Sequence, residues 1–435
     1  MSHQYYPSDL EINLIEPVLW TGFAMLAGCC YGLLIWLECK NSEYTESTIK
    51  VSSGWLLLLV LIVHTSLIFT KPILEDDYFR YSWDGKSIRD GVHPYLYTPA
   101  EVINKSSPEY AKNINFPEYR SVYPPLVEVL FISEFLYPNT IYGWWIFIFL
   151  TDIGLVICWW YFHKKERGHK DYLYLALWLN PIFLKEVLNS GHLDFFAGAL
   201  LLLSLIYVLK FNSKRTEFIF YGLMVGIRPW YAAIIGWKIL EWHKKEIIYF
   251  LLIILIPWLI FLNWPGLPSV NDTMSSWQAF VREWEFNALF YDWLNRMNLT
   301  FGWDLSNATR RYICLFFGFF FLGCIFVCSY KKENSLQWSL LGIMFWLMCQ
   351  PTVNTWYFIP IIMGFGGQYL LESHGNFKSL SNGMLVGMSV ALPMSYLNYL
   401  DLDGRLLNYQ WSLAEFLLLI LIPFLFFRRG ARPCV

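Results

Sequence analysis

The sequence predicts an all-α protein, a polytopic transmembrane bundle of about 11–13 helical spans, and three observations support this class. Hydrophobic residues make up 56% of the 435 residues and charged residues only 15%, whereas about a quarter of a soluble domain is charged. Long apolar stretches recur along the chain and alternate with polar segments. Because one soluble core could not bury this much apolar surface, a helical bundle in a bilayer is expected.

Hydropathy predicts the crossings in chain order at 17–37, 52–70, 141–162, 172–188, 195–210, 247–263, 311–330, 337–349, 358–371, 382–398 and 411–427. Several are shorter than the roughly twenty residues of an upright transmembrane helix. Segment 124–138 is predicted to be an interfacial or re-entrant helix, and segment 217–241 to enter and leave by one face. Because no repeat or linker is visible, the whole chain, 1–435, is predicted to be one domain.

Basic clusters predict the orientation of the spans, because cytoplasmic loops are enriched in Lys and Arg. The clusters lie at 164–170, 214–215, 244–245, 331–332 and 428–432. If these are cytoplasmic, the opposite face carries the long first outer loop 71–123, the turn 191–194, the loop 264–310 and the turn 351–356. Four polar segments that are distant in sequence then meet on one surface, as an active site on a helical scaffold requires.

Composition also excludes some classes of protein. A net charge of −2 without a basic stripe argues against nucleic-acid binding. The nine cysteines lie mostly in apolar segments, so neither a disulfide framework nor a Cys-x-x-Cys metal site is expected. The polar start of the chain lacks the pattern of a cleavable signal peptide.

Acidic residues at the start of the first outer loop are the first candidate site. Transfer of a sugar to a hydroxyl needs a base, and Asp77, next to Asp76, could supply one. Asp84 follows Asp77 by seven residues and would share its face in a helix. Tyr81 and Trp83 could stack on sugar rings. The alternative is a solvated loop beside the membrane whose aromatic residues anchor it at the interface.

A second group of ionisable residues, Lys185, Glu186, His192 and Asp194, coincides with helix-breaking residues at membrane depth. Such residues are functional candidates by default. The alternative is a Lys185–Glu186 pair near a helix end with His192 and Asp194 exposed to water. Two ligands two residues apart make only a weak signal for a metal.

Arg228 is an arginine between apolar residues, followed directly by proline. An unpaired arginine is costly in lipid, and a guanidinium binds phosphate bidentately. Arg228 is therefore a candidate ligand for the phosphate of a lipid carrier. A structural pair with a buried acid is the alternative.

Two later segments carry weaker candidates. Trp284 and Asn287, and then Trp356 and Tyr357, could contact a sugar or an isoprenoid chain. As residues next to spans they could equally be interface anchors.

Together these residues resemble the GT-C superfamily of polytopic glycosyltransferases, and most closely the bacterial mannosyltransferase-like members that use a polyprenyl-phosphate sugar. The specific part is the first outer loop, with Asp77-Tyr-Phe-Arg-Tyr-Ser-Trp-Asp-Gly85, Gly91-Val-His-Pro-Tyr95 and Val122-Tyr-Pro-Pro-Leu126. Asn180-Pro181 ahead of Glu186, Gly191-His-Leu-Asp194, Trp284-Glu-Phe-Asn287 and Trp356-Tyr357 match in the same order. The chain departs from the pattern at His93, where Asn is usual, and at Thr355, where Pro is usual.

The resemblance implies a sugar transferase that inverts the anomeric centre on the face opposite the cytoplasm, with Asp77 as the general base and Asp76 as second choice. The donor would be mannose, or another hexose or pentose, on polyprenyl phosphate, and the acceptor a glycan or a glycolipid. No metal and no cofactor is expected, and the location would be the bacterial inner membrane. The expected substrate-binding residues are Arg80, Tyr81, Trp83, Asp84, His93, Tyr123, Glu186, His192, Asp194, Arg228, Trp284, Asn287, Trp356 and Tyr357.

Two other classes of function stay open at this point. A transporter or flippase of a lipid-linked or polar solute would place its ionisable residues near the midplane in repeated broken helices. The acids of this chain cluster instead in one outer loop, which favours an enzyme. A catalytically silent partner of an envelope-polymer complex should have lost the acid at position 77, and Asp77 is present.

Overall fold

The computed structural model describes residues 15–41, 53–167, 177–211, 216–263, 270–329, 335–371, 376–400 and 405–430. Within these ranges every regular element is helical, and one isolated parallel bridge joins Phe286 to Thr352. The predicted all-α class is therefore confirmed.

The α-helices in chain order are α1 (Ile15–Asn41), α2 (Ser53–Ile68), α3 (Asp77–Arg89), α4 (Pro99–Val102), α5 (Pro125–Phe131), α6 (Tyr142–Arg167), α7 (Pro181–Phe183), α8 (Asp194–Phe211), α9 (Glu217–Ile227), α10 (Ala232–Ile239), α11 (Lys244–Leu262), α12 (Val270–Glu283), α13 (Leu289–Phe301), α14 (Asn307–Ser329), α15 (Ser335–Met348), α16 (Ile359–Leu371), α17 (Asn376–Ala391) and α18 (Arg405–Gly430). A π-helix covers Leu184–Asn189, and short 3-10 helices cover Glu109–Asn113, Ile132–Leu136, Pro229–Tyr231, Thr355–Phe358 and Leu392–Leu400.

Five of the described helices are long and apolar enough to cross a membrane, and they lie within α1, α6, α11, α14 and α18. Shorter apolar helices include α2, α8, α9 and α15. Many apolar side chains of α11 and α14 are exposed on the surface of the bundle, as expected for helices that face lipid. The chain is therefore an integral membrane protein, as predicted. The basic residues at 170, 214–215 and 331–332 lie outside the described residues, and the orientation stays a prediction.

The predicted span 172–188 is not one continuous helix over its described part. Residues 172–176 lie outside the described residues. Beyond them, Asn180 accepts hydrogen bonds from the backbone N–H groups of Ile182 and Phe183 and begins α7. Pro181 is the first helical residue, where its missing N–H costs nothing. The chain then widens into the π-helix, a form that is rare and frequent at functional sites.

Segment 124–138 folds as two short helices, α5 and the 3-10 helix that follows, which pack against α3. The approach is so close that a Cβ on Gly85 would lie 1.9 Å from the carbonyl oxygen of Phe131. Neither helix is long enough to cross a bilayer, and the interfacial or re-entrant position of the segment stays a prediction.

Segment 217–241 is a broken helix, because α9 and α10 are separated at Arg228 and Pro229. Arg228 has an extended backbone, with φ −142° and ψ 113°, and ends α9. Proline after it disfavours the helical conformation at Arg228. The break places the buried Arg228 side chain between two helices, beside the core.

The core is rich in large aromatic residues, among them Trp144, Trp159, Trp178, Tyr231 and Phe358. A smaller cluster of Trp83, Tyr110, Ala111 and Ile114 packs inside the first outer loop. The loop is therefore a folded layer on the bundle, and it holds α3 against the core.

Candidate active site

Three consecutive acids, Glu75, Asp76 and Asp77, stand at the entrance to α3. Asp76 is the N-cap residue and Asp77 is the first helical residue, where a carboxylate interacts favourably with the helix dipole. Leu74, just before them, has a φ of 56°, which is unusual for a branched residue and strained. The tight turn at Leu74 directs the chain into α3 and brings the three acids together.

Asp77 is held by an amide and a phenol rather than by a cation. The side-chain N–H of Asn115 donates to Asp77 Oδ1 at 2.7 Å and to Asp76 Oδ1 at 2.8 Å. The Tyr81 hydroxyl lies 3.4 Å from Asp77 Oδ2 and 3.4 Å from His192 Nδ1. Burial raises the pKa of Asp77, and nearby Glu75 raises it further, while His192 and Asn115 oppose the shift. A half-buried carboxylate with a raised pKa suits proton acceptance.

Below Asp77 the π-helix presents two buried charges, Lys185 and Glu186. Lys185 Nζ lies 3.4 Å from Glu75 Oε1, 3.5 Å from Glu186 Oε2 and 2.5 Å from the Tyr396 hydroxyl. The Tyr396 hydroxyl donates in turn to Glu186 Oε1. Burial raises the pKa of Glu75 to about 7, although Lys185 opposes the shift.

His192 follows the π-helix directly after a tight turn at Gly191, a position that only glycine can occupy without strain. Gly191 has a φ of +72°, and a Cβ there would lie 2.9 Å from the Trp145 ring. The His192 ring stacks on Trp356, with 3.9 Å between ring centroids and 14° between planes. Its Nε2 lies 3.6 Å from Glu75 Oε2 and 3.3 Å from Glu186 Oε2. Burial lowers the pKa of His192 to about 4, although the charges of Glu186 and Asp77 oppose the shift.

Glu75, Glu186 and His192 offer ligand atoms that all lie within 4.8 Å of one another. Two carboxylates and an imidazole are a chemically competent metal-ligand set. Asp194, which the sequence paired with His192, is not part of this set.

Arg228 pairs with Asp194 in a pocket of aromatic rings. Arg228 Nη2 donates to Asp194 Oδ2 at 3.3 Å, and the Tyr231 hydroxyl donates to Asp194 Oδ1 at 2.6 Å. The rings of Tyr123, Trp230 and Tyr357 lie 5.1–5.9 Å from the guanidinium carbon. Arg228 Nε is buried and bonds to no atom of the described residues. Arg228 is thus paired with a buried acid, as the alternative in the sequence analysis expected. Its Nε remains a hydrogen-bond donor for a ligand.

With the site built, comparison with known proteins assigns its family. The family model described as alpha-(1->6)-mannopyranosyltransferase, N-terminal domain, matches residues 11–242, slightly more than half of the chain. The chain belongs to this family. It is therefore a mannosyltransferase, and the prediction of a glycosyltransferase in place of a transporter is confirmed. No curated protein and no solved structure matches the chain.

Several residues predicted to bind substrate in this mannosyltransferase are engaged in the fold. Arg80 Nε donates to both carboxylate oxygens of Asp84 at 2.9 and 3.0 Å, and its Nη1 donates to the Tyr119 carbonyl. His93 Nε2 donates to the carbonyl of Phe261 in α11 at 3.1 Å, and its Nδ1 accepts a hydrogen bond from the backbone N–H of Tyr95. Trp83 belongs to the small cluster inside the first outer loop.

Asn287 is likewise tied to the fold, because four hydrogen bonds fix its side chain. Its Nδ2 donates to both oxygens of Glu415 in α18, at 3.2 and 3.0 Å. Its Oδ1 accepts from Ser412 at 2.7 Å and from Asn398 at 3.2 Å. Trp284 packs edge-on against Phe116, the neighbour of Asn115, with 4.4 Å between ring centroids.

The structure thus places one group of the predicted site residues around Glu75, Asp76 and Asp77 and places the other group away from these acids. Gathered there are Asp76, Asp77, Tyr81, Tyr123, Glu186, His192, Asp194, Arg228, Trp356 and Tyr357. Arg80, Trp83, Asp84, His93 and Asn287 lie in contacts that hold the fold, and Trp284 lies at the edge of the first outer loop.

Three residues that reach the site were not among the candidates of the sequence analysis: Glu75, Asn115 and Tyr396. Lys185 was a candidate in the second group of ionisable residues, and Glu75 adjoins Asp76, so its neighbour could have indicated it. Asn115 and Tyr396 carry no motif of their own. Only the fold shows that they contact Asp77 and Glu186.

Proposed function

We propose that this membrane mannosyltransferase moves mannose from a polyprenyl-phosphate donor to a glycan or lipid-linked acceptor, with inversion, on the extracytoplasmic face of a bacterial inner membrane. The family description names an α-(1→6) transfer, so the proposed acceptor group is the 6-hydroxyl of a sugar. The observation that carries the proposal is the position of Asp77 beside the pocket of Arg228. The Tyr81 hydroxyl contacts Asp77, the Tyr81 ring packs on Tyr123, and the Tyr123 ring lies 5.9 Å from the guanidinium carbon of Arg228. A carboxylate base and a cation therefore lie in the same small region.

In the proposed reaction, Asp77 removes the proton of the acceptor hydroxyl. The hydroxyl oxygen attacks the anomeric carbon from the side opposite the phosphate and forms the new C–O bond. The bond from that carbon to the phosphate oxygen breaks, and its electron pair leaves with polyprenyl phosphate. Asp76 and Asn115 orient the base. Phosphate is a good leaving group, so no strong general acid is needed, and the proposed transfer is metal-independent, as the resemblance implies.

The donor phosphate is assigned to Arg228. Its unbonded Nε and the aromatic rings of Tyr123 and Trp230 fit a phosphate next to a sugar. Asp194 and His192 lie close enough to this region to position hydroxyls of the donor or the acceptor.

An apolar cavity supports a lipid carrier for the donor. The cavity has a volume of about 260 Å³ and is lined by Ala233 and Gly236 of α10, Phe319 and Leu322 of α14, and Ser339 of α15. Helix α10 starts directly after the 3-10 turn that follows Arg228. An isoprenoid chain leaving a phosphate at Arg228 could follow α10 into this mainly apolar cavity, whose lining offers a nucleotide a single polar side chain, that of Ser339.

The donor class can be tested with purified protein in liposomes. We expect transfer from radiolabelled polyprenyl-phosphate mannose in the presence of a chelator, and no transfer from a nucleotide-linked mannose. Digestion of the product with a linkage-specific mannosidase identifies the new bond. Transfer from the nucleotide sugar alone would refute the proposed donor.

Arg228 can be tested by donor binding. Arg228→Ala should weaken binding of the lipid donor, and Arg228→Lys should restore only part of it, because lysine cannot bind phosphate bidentately. Unchanged donor affinity in a folded Arg228→Ala protein would leave the pair with Asp194 as the only role of this arginine.

The proposed face can be tested at the exposed Lys105 of the first outer loop. Lys105→Cys, in a background without reactive thiols, should react with an impermeant thiol reagent added outside. Reaction from the cytoplasmic side alone would reverse the proposed orientation.

A further inference from the structure

We propose that the Lys185 ammonium is a built-in cation of the active site, and that it takes the place a divalent metal ion would occupy between Glu75, Glu186 and His192. The proposal deepens the proposed function, on which it rests for the statement that transfer needs no metal. The contacts of Lys185 that support the proposal do not depend on the proposed function.

The first observation is the position of the ammonium. Lys185 Nζ lies between Glu75 Oε1 at 3.4 Å and Glu186 Oε2 at 3.5 Å, and both carboxylates are buried. The Lys185 side chain is 1% exposed, so water does not screen these charges. The Tyr396 hydroxyl contacts the ammonium at 2.5 Å and donates to Glu186 Oε1. One positive charge is thus shared by two acids.

The second observation is the unsatisfied nitrogen of His192. Nε2 is fully buried, faces Glu75 and Glu186, and has no hydrogen-bond partner among the described residues. The ring lies flat against Trp356, and its Nδ1 lies 3.4 Å from the Tyr81 hydroxyl, which directs Nε2 to the two carboxylates. A buried nitrogen directed at two carboxylates is the third ligand of a metal set. In this chain the cation beside that set is an ammonium.

The π-helix explains how adjacent residues reach the same place. The Ser190 N–H bonds to the Lys185 carbonyl and the His192 N–H to the Glu186 carbonyl, at 2.9 and 3.0 Å. The wider turn of the π-helix rotates each side chain relative to the one before it by a smaller angle than the turn of an α-helix does. Lys185 and Glu186 can therefore both point to the acids at the entrance to α3.

Lys185 acts here as a positioning residue. By holding Glu75 and Glu186 it fixes the carboxylates that surround His192. His192 in turn contacts the Tyr81 hydroxyl, which contacts Asp77. Loss of the ammonium should disturb the base through this chain of contacts, without removing any group that touches substrate.

The test compares Lys185→Ala, which opens the space of the ammonium, with Lys185→Met, which fills that space without a charge. With chelator present, we expect both variants to lose about 10–100-fold in transfer rate, as is typical for groups that orient active-site ligands. Mn²⁺, which suits carboxylate ligands, should bind to Lys185→Ala with one ion per protein, measured by electron paramagnetic resonance. It should also restore part of the transfer rate of this variant.

The controls separate a metal site from unspecific binding. Wild-type protein and Lys185→Met should bind no stoichiometric Mn²⁺, and Lys185→Ala with Glu186→Gln should lose the ion. Thermal unfolding in detergent checks that each variant is folded.

Four results would overturn the proposal: stoichiometric Mn²⁺ binding by the wild type, stoichiometric Mn²⁺ binding by Lys185→Met, undiminished transfer by Lys185→Ala in chelator, or no Mn²⁺ binding by folded Lys185→Ala. If Lys185→Ala does not fold, the wild-type and Lys185→Met measurements still decide, because Mn²⁺ binding by either protein contradicts the proposal. The binding measurement needs no sugar donor. A wrong donor assignment would abolish transfer in every protein and leave the binding results unchanged.

Discussion

In the first turn of α3 Asp77 accepts hydrogen bonds from neutral groups, whereas two turns later Asp84 is paired with Arg80 through both of its oxygens. Both acids belong to one motif and lie on one side of one helix. Asp77 is half-buried beside Asn115 and near His192. Asp84, in the middle of α3, is 2% exposed.

The difference shows that the partner of a carboxylate decides what the carboxylate can do. Burial raises the pKa of both acids, but Arg80 donates to both oxygens of Asp84, opposes the rise and leaves no oxygen of that carboxylate open to a ligand. Asp77 is held by the Asn115 amide and the Tyr81 hydroxyl, and its half-buried carboxylate can accept a proton from a ligand. Within α3, therefore, we expect the first turn to contribute to catalysis and the middle of the helix to contribute to the stability of the fold.

The largest expected effect is that of Asp77→Asn on catalysis. A general base contributes roughly 10²–10⁴-fold to a rate, so transfer from the lipid donor should fall by that factor. Asparagine keeps the shape of the side chain, and donor binding and thermal unfolding should change little. Near-normal transfer by Asp77→Asn, with Asp76→Asn inactive, would assign the base to Asp76 instead.

Asp84→Asn is the matched change two turns away and should act on stability. It leaves the buried Arg80 without its ionic partner, and breaking a buried pair costs about 3–5 kcal/mol. We expect a lower midpoint of thermal unfolding in detergent. Folded Asp84→Asn protein should retain the donor affinity of the wild type. A selective loss of that affinity with normal stability would move Asp84 into the substrate site.

The comparison also shows what the sequence could predict and what it could not. Hydropathy indicated the helical membrane class, because lipid requires every backbone group to bond within its own segment. The motif indicated both Asp77 and Asp84 as site residues. It did not separate their roles, because spacing along a helix predicts the face that a residue occupies but not the group that its side chain contacts. Arg80 and Asp84, four residues apart, could have been read as an i, i+4 pair. The amide of Asn115 and the hydroxyl of Tyr396 reach the acids only through long-range packing, which no local pattern records.

Asn287 extends the comparison to a third region, because it too belongs to the motif but bonds within the fold. Asn287→Ala would leave Glu415 in α18 without the amide that bonds to both its oxygens. The expected cost is about 1–3 kcal/mol for a buried group left unsatisfied, seen as a lower unfolding midpoint. A raised KM for the donor at unchanged stability would instead support contact with the sugar.

Gly85→Ala tests whether the middle of α3 depends on its close approach to α5. The new Cβ would lie 1.9 Å from the Phe131 carbonyl oxygen, so the two elements must move apart. Overpacking of this kind costs about 1–3 kcal/mol. Gly154→Ala in α6, where a Cβ meets nothing within 4 Å, is the control and should not destabilise. Equal stability of the two variants would show that the packing of α3 tolerates the shift.

The smallest expected effect, and the finest test of the first turn of α3, is a change of pH dependence in Asn115→Ala. The Asn115 amide donates to Asp77 and lowers its pKa, against the rise caused by burial. Without the amide the pKa of Asp77 rises further, and a base is active only above its pKa. The acidic limb of the profile of kcat/KM against pH should therefore move to higher pH, with transfer at high pH largely retained. Asn104→Ala is the control, because the side-chain hydrogen bonds of Asn104 to the described residues stay within its own turn of the first outer loop, and its profile should match the wild type. If the acidic limb of Asn115→Ala stays in place, the titrating base is not the carboxylate that Asn115 holds, and Asp77 loses its assigned role.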